Sequence, residues 1–148
     1  MKQIRLQLKE NEISKIFKDF TNIIESYLSL NFFPTVLLSG DLGAGKTTFV
    51  RQWMSSVGSN DLVNSPTFAL QNVYQWNNLE VHHFDLYRIK FQDEIDELGF
   101  QEIWGNGCIS FIEWWPNAIN KLPTSGLIRL EILHDTPDSR VYVLESEH

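Results

Sequence analysis

Gly40-Asp41-Leu42-Gly43-Ala44-Gly45-Lys46-Thr47 fits the spacing G-x-x-x-x-G-K-[ST], a set of residue types suited to holding a chain of phosphates. Its glycines let the backbone turn tightly enough for successive N–H groups to converge on phosphate oxygens. Lys46 is placed to reach the β- and γ-phosphates of a nucleotide, and the Thr47 hydroxyl to bind Mg²⁺. Asp41, Leu42, Gly43, Ala44, Gly45 and Thr48 complete the expected cradle. In the free loop Lys46 is expected to face solvent.

Such a site needs a further acid, because Mg²⁺ held only by a threonine and phosphates is loosely placed. Glu113 closes the apolar run Cys108-Ile109-Ser110-Phe111-Ile112 and is the candidate either to bind the metal or to polarise the attacking water. Asp85, in His83-Phe84-Asp85-Leu86-Tyr87-Arg88, stands at another strand end. It can hold the metal through water, orient the nucleophile, or simply pair with Arg88, which is itself a candidate for the γ-phosphate. Ser65 and Thr67, in Asn64-Ser65-Pro66-Thr67-Phe68, lie where nucleotide-sensing loops sit, although a Ser-Pro turn opening a strand has the same chemistry. Trp114 and Trp115 follow Glu113 directly and are placed to stack on a base, face a partner or pack in a core.

The elements that must position these groups are legible from apolar periodicity. Ile4, Leu6 and Leu8 alternate as in a half-buried strand; from Asn11 to Leu30 the set Ile13, Ile16, Phe17, Phe20, Ile23, Ile24, Tyr27 and Leu28 follows helical spacing. Thr35 to Leu38 reads as a buried strand feeding the glycine loop, and the helix after it ends near Val57-Gly58. Phe68 to Trp76 and Leu79 to Phe84 read as a hairpin turning at Asn77-Asn78. Asp93 to Leu98 is a short helix stopped by Gly99, Pro116 to Leu122 another, and Leu127 to Leu133 and Val141 to Leu144 are closing strands. With no repeat, low-complexity tract or linker, residues 1–148 read as a single α/β domain: a P-loop NTPase with a central mixed β-sheet flanked by helices.

Composition narrows the partners. The net charge is -7 and no Lys/Arg cluster interrupts it, so nothing in the sequence is shaped to grip DNA or an RNA backbone directly. The apolar runs are too short to span a bilayer and no secretory signal is visible, so no membrane association is expected. The single Cys108 sits in an apolar strand and reads as a small buried side chain in a reducing compartment. His82, His83, His134 and His148 lack zinc-site spacing.

Taken together, the motifs resemble those of the TsaE family, the ATPases of bacterial tRNA threonylcarbamoyladenosine (t6A) biosynthesis. The resemblance runs through Gly40 to Thr48, Ser65-Pro66-Thr67-Phe68, His83 to Arg88, Glu97-Leu98-Gly99-Phe100 and Ile112-Glu113-Trp114. Only the first is generic to P-loop proteins, whereas the order and spacing of all five are specific. The resemblance implies a small cytoplasmic ATP hydrolase, weak alone, using ATP and Mg²⁺ and acting with a TsaB–TsaD pair that transfers threonylcarbamoyl to adenosine 37 of tRNA. It implies Lys46 as the phosphate residue, Thr47 and Glu113 as metal residues, Glu113 and Asp85 as the acidic pair, and Ser65 to Thr67 as a switch. Trp115 departs from the small residue or proline that often follows Glu-Trp there.

Two other P-loop readings are weaker. A nucleotide kinase needs an arginine-rich lid, and Arg5, Arg51, Arg88, Arg129 and Arg140 are scattered. A GTPase needs an Asn-Lys-x-Asp guanine reader, and Asn120-Lys121-Leu122-Pro123 lacks its carboxylate. A module that binds nucleotide only to set its shape for a partner differs from an ATPase in turnover alone.

Overall fold

A computed structural model describes residues 1–41, 45–64, 66 and 69–148. In chain order its main elements are β1 (Lys2–Lys9), α1 (Ser14–Ser29), β2 (Thr35–Ser39), α2 (Lys46–Ser56), β3 (Gln71–Trp76) and β4 (Leu79–Asp85), then α3 (Asp93–Leu98), β5 (Cys108–Glu113), β6 (Leu127–His134) and β7 (Ser139–Ser146). The seven strands form one mixed sheet in the order β1-β7-β6-β2-β5-β4-β3. Its centre is parallel, β2 pairing with both β5 and β6 and β4 with β5, while β7, β1 and β3 add antiparallel edges. All six residues of β5 are buried, as are the first four of β2, the signature of strands covered on both faces.

Because successive strand side chains point to opposite faces, β2 and β5 supply two cores at once. Val36, Leu38 and Phe111 join α1 and α2 on one face, with Phe20, Phe49 and Trp53 at the centre. Phe20 meets Phe49 and Trp53 edge to face, with centroids 5.3 and 5.1 Å apart. The indole N–H of Trp53, fully buried, donates to Thr21 Oγ1 at 2.9 Å. Leu37 and Ile112 point to the other face and pack with Phe84, Ile95, Phe100 and Trp104.

Three predicted elements differ from the observed ones, each for a local reason. The first helix begins at Ser14, because residues 10–12 form a 3₁₀ turn in which the Glu12 carboxylate accepts the Lys9 N–H at 3.1 Å. The strand expected from Phe68 begins only at Gln71: Leu70 takes a left-handed conformation (φ 66°) and its N–H donates back to the Pro66 carbonyl, while Phe68 lies outside the described residues. The helix expected over Pro116 to Leu122 is a 3₁₀ turn, Trp115–Ala118. The Asn120 N–H, which an α-helix would direct at the Pro116 carbonyl, instead donates to Gln92 Oε1 at 2.7 Å. Along the outer edge of β3, the Gln75 N–H donates to Asp61 Oδ2 and its carbonyl accepts from Ser59 Oγ.

The chain leaving β4 reaches α3 through a turn held by Glu94, whose Oε2 accepts the N–H groups of Lys90 and Phe91 at 2.8 and 2.9 Å. The Phe91 bond first, then that to Lys90, holds this carboxyl below its ordinary value of 4.5. A carboxyl depressed in the folded state adds stability above its unfolded pKa and loses it as pH falls through the folded value. Glu94→Gln is therefore expected to lower the thermal midpoint at pH 7, with the difference from the parent protein shrinking as pH drops below about 4.5. Melting curves of both proteins across that range check this; a gap independent of pH would assign the turn to something other than the carboxylate.

Candidate nucleotide site

The parallel strands β2, β4 and β5 end on one side of the sheet, the side where open α/β sheets bind ligands. From Ser39 the chain enters the glycine loop through Gly40 (φ 146°) and leaves it through Gly45 (φ 109°), a conformation an L side chain rarely adopts. Gly45 caps α2, and its carbonyl takes the first helical bond, from Phe49 N–H at 2.8 Å. The loop's exit thus delivers Lys46 and Thr47 on the first turn of an eleven-residue helix whose N-terminal N–H groups favour anions.

Lys46 is 6% exposed, contrary to the expected solvent-facing side chain. Its flexible stem folds back, so that Nζ donates to the Gly40 carbonyl at 2.6 Å and sits 4.6 Å from the centroid of the Trp114 ring. A carbonyl and an aromatic face both attract an ammonium, which explains the burial of the charge. Trp114 reaches that position because its own backbone is left-handed (φ 58°), turning the chain immediately after β5. Trp114 also packs against Tyr87, with ring centroids 5.0 Å apart. Trp115 acts as a brace instead, its indole N–H donating to Ser39 Oγ at 2.9 Å and tying the end of β5 to the end of β2.

Glu113 stands opposite Leu38 on β2 and Asp85 on β4, so the ladder itself brings both predicted acids to the loop. The Thr47 hydroxyl donates to Glu113 Oε2 at 3.0 Å. The same oxygen lies 2.6 Å from Nε2 of His83, a wholly buried ring. Asp85 is 5% exposed, and its Oδ1 accepts the Tyr87 N–H at 3.0 Å. A hydroxyl and a carboxylate side by side are hard oxygen donors of the kind Mg²⁺ takes, one or two from protein and the rest from phosphate and water. Thr47 and Glu113 fit that ion.

Beside the loop opens a cavity of about 680 Å³ whose wall includes Leu8, Asn11, Gly45, Thr48, Gln52 and Arg140. Of these, the sequence reading anticipated only Gly45 and Thr48. Gln52 lies one turn beyond Thr48 on α2, whereas Leu8, Asn11 and Arg140 arrive through the antiparallel pairing Leu8↔Arg140 and Lys9↔Ser139, joining segments more than a hundred residues apart in a register that no local pattern encodes.

A profile of the family described as "Threonylcarbamoyl adenosine biosynthesis protein TsaE" matches residues 8–142. The chain belongs to the TsaE family. Among relatives called tRNA threonylcarbamoyladenosine biosynthesis protein TsaE, that of Rickettsia typhi is 42% identical over 116 residues, 78% of each chain. That of Rickettsia bellii is 39% identical over 133 residues, 88% of this chain and 89% of its own. The crystal structure of Bacillus subtilis YdiB superposes with a TM-score of 0.65 at 22% identity, covering 97% of this chain and 84% of that one, a likeness of fold.

Against the TsaE pattern, the structure gathers Lys46, Thr47, Asp85, Glu113 and Trp114 at one strand-end site, with Asp41 exposed at its entrance. Leu42, Gly43, Ala44, Ser65 and Thr67 lie outside the described residues. Arg88 is exposed on the loop after Asp85. Gly99 ends α3 with a left-handed turn (φ 73°), and Phe100 packs edge-on against Phe84 at 4.8 Å, so this stretch of the TsaE pattern serves the second core. His83 was missed as a site residue. The available signal was its place two positions before Asp85, on the same face of a strand whose last five residues are all buried.

Proposed function

We propose that the chain binds Mg-ATP on the loop between β2 and α2, hydrolyses it, and supports threonylcarbamoyl transfer to adenosine 37 of tRNA by a TsaB–TsaD partner complex. The observation that carries this reading is the Thr47 to Glu113 hydrogen bond beside Lys46 at the carboxyl ends of the parallel strands. Amide groups of the loop and of the first turn of α2 receive phosphate oxygens. Lys46 exchanges the Gly40 carbonyl for the β- and γ-phosphates, a short swing of a long stem. Thr47 and Glu113 hold Mg²⁺, which when bound neutralises charge on the phosphates. In hydrolysis a water oxygen bonds to the γ-phosphorus as the bond to the ADP oxygen breaks. Asp85 and Glu113 are the carboxylates near enough to orient that water. The cavity walled by Asn11, Gln52 and Arg140 suits the nucleoside, being concave, lined by both apolar and polar side chains, and joined to the loop through Gly45 and Thr48.

The chain's net charge of -7 leaves tRNA to be met through partners, and no described helix is long and apolar enough to cross a membrane. A cytoplasmic site of action belongs to the same reading. So does a switch role for Ser65, Thr67, Arg88 and Trp114, in which docking of the partner covers the rim of the site and raises turnover. The test is phosphate release measured with and without TsaB–TsaD, alongside tRNA binding. Slow release alone, faster release with the pair and negligible tRNA affinity alone are expected. Unchanged release and no ATP-dependent association would overturn the partner; nucleotide binding with no release under any condition would leave a binding module.

A further inference from the structure

We infer that His83 is the positioning residue of Glu113, fixing its carboxylate through Oε2 so that Oε1 is the oxygen presented to metal or water. This deepens the proposed function and rests on it. A glutamate at a strand end has three side-chain torsions, the last of them broad, and Thr47 alone would hold one oxygen by a hydroxyl that can rotate. The imidazole of His83 cannot: it is wholly buried, and the register His83↔Phe111 beside Asp85↔Glu113 sets it one step behind the carboxylate on the neighbouring strand. Its Nε2 lies 2.6 Å from Oε2, the oxygen that also accepts from Thr47. Oε1 accepts from no described residue.

The other ring nitrogen gives the second half of the argument. His83 Nδ1 is buried and has no hydrogen-bond partner among the described residues. A carboxylate oxygen accepts, so Nε2 is the nitrogen that donates to Glu113. Leaving Nδ1 unpaired carries a desolvation cost that phenylalanine of similar shape would avoid. The compensating gain is the bond to Glu113. A histidine donating to a metal-binding carboxylate is the arrangement by which outer groups orient metal ligands.

The experiment compares the parent protein with His83→Phe, which keeps the ring shape, and His83→Gln, whose amide nitrogen can reach the place of Nε2. In the metal-free parent, nitrogen NMR of His83 is expected to find the proton on Nε2, with Glu113→Gln moving those resonances; this readout needs no turnover. His83→Phe is expected to lower kcat and weaken the Mg²⁺ dependence of turnover, each by roughly ten- to a hundredfold, with metal-free ATP affinity within about twofold of the parent. His83→Gln is expected to recover most of the loss. An Nε2 without a proton, or a folded His83→Phe with unchanged kcat and Mg²⁺ requirement, overturns the inference. Should His83→Phe not fold, His83→Gln matching the parent supports it, and His83→Gln with kcat and Mg²⁺ dependence impaired to the ten- to hundredfold level overturns it. A parent that binds no Mg-ATP fails the proposed function instead, while the NMR result still reports the pairing.

Discussion

Lys46→Ala is expected to remove measurable phosphate release and to weaken ATP binding by about ten- to a hundredfold. The second figure is that of one charge-assisted hydrogen bond, about 1.5–3 kcal/mol, at 1.4 kcal/mol per tenfold. The loss of turnover is larger because charge on the transferred phosphoryl group is stabilised chiefly by positioned cations. The sequence alone implies a substitution harmless to the fold. The structure adds a modest penalty, on the order of 1 kcal/mol, since the Gly40 bond and the Trp114 contact disappear together. Calorimetric titration with ATP and a denaturation curve on the same sample separate the two effects. A folded variant with parental affinity would remove the loop from consideration as the phosphate site.

Glu113→Gln is expected to reduce turnover by about a hundredfold or more while ATP still binds, because the loop amides and Lys46 continue to hold the phosphates. Glutamine is the informative replacement. Its carbonyl oxygen can accept from both Thr47 and His83, so the variant removes the charge and little else, whereas alanine strands a buried imidazole and a hydroxyl. Asp85→Ala is expected to impair turnover more than binding as well, by less than Glu113→Gln, because its Oδ1 is engaged by the Tyr87 N–H. Single-turnover rates against Mg²⁺ concentration rank the two. Parental rates in both variants would make these carboxylates structural.

How much was legible follows from how local each determinant is. The β2 strand, α2 and the acid that ends β5 are each written in consecutive residues, and all were placed within a few positions of where they lie. Lys46 was misjudged because its burial depends on Trp114, sixty-eight positions later and turned inward by a left-handed backbone that tryptophan does not advertise. The failed helix after Pro116 has the same origin: one side chain, Gln92, takes an N–H that helical bonding would have used. His83 and the cavity wall were hidden because each depends on which strands lie side by side, and alternation marks a strand without naming its neighbour.

The side chains of Ser59 and Asp61 over the edge of β3 have a consequence for the protein in concentrated solution. An outer strand with free N–H and C=O groups is a template for another chain, and Val73, 45% exposed, would make this one sticky. With the Gln75 donor and acceptor both occupied from within the same molecule, an incoming strand meets an anion and a hydroxyl in place of its ladder. Polymerisation through that border is opposed at its Trp76 end, where an added strand would have to displace both side chains.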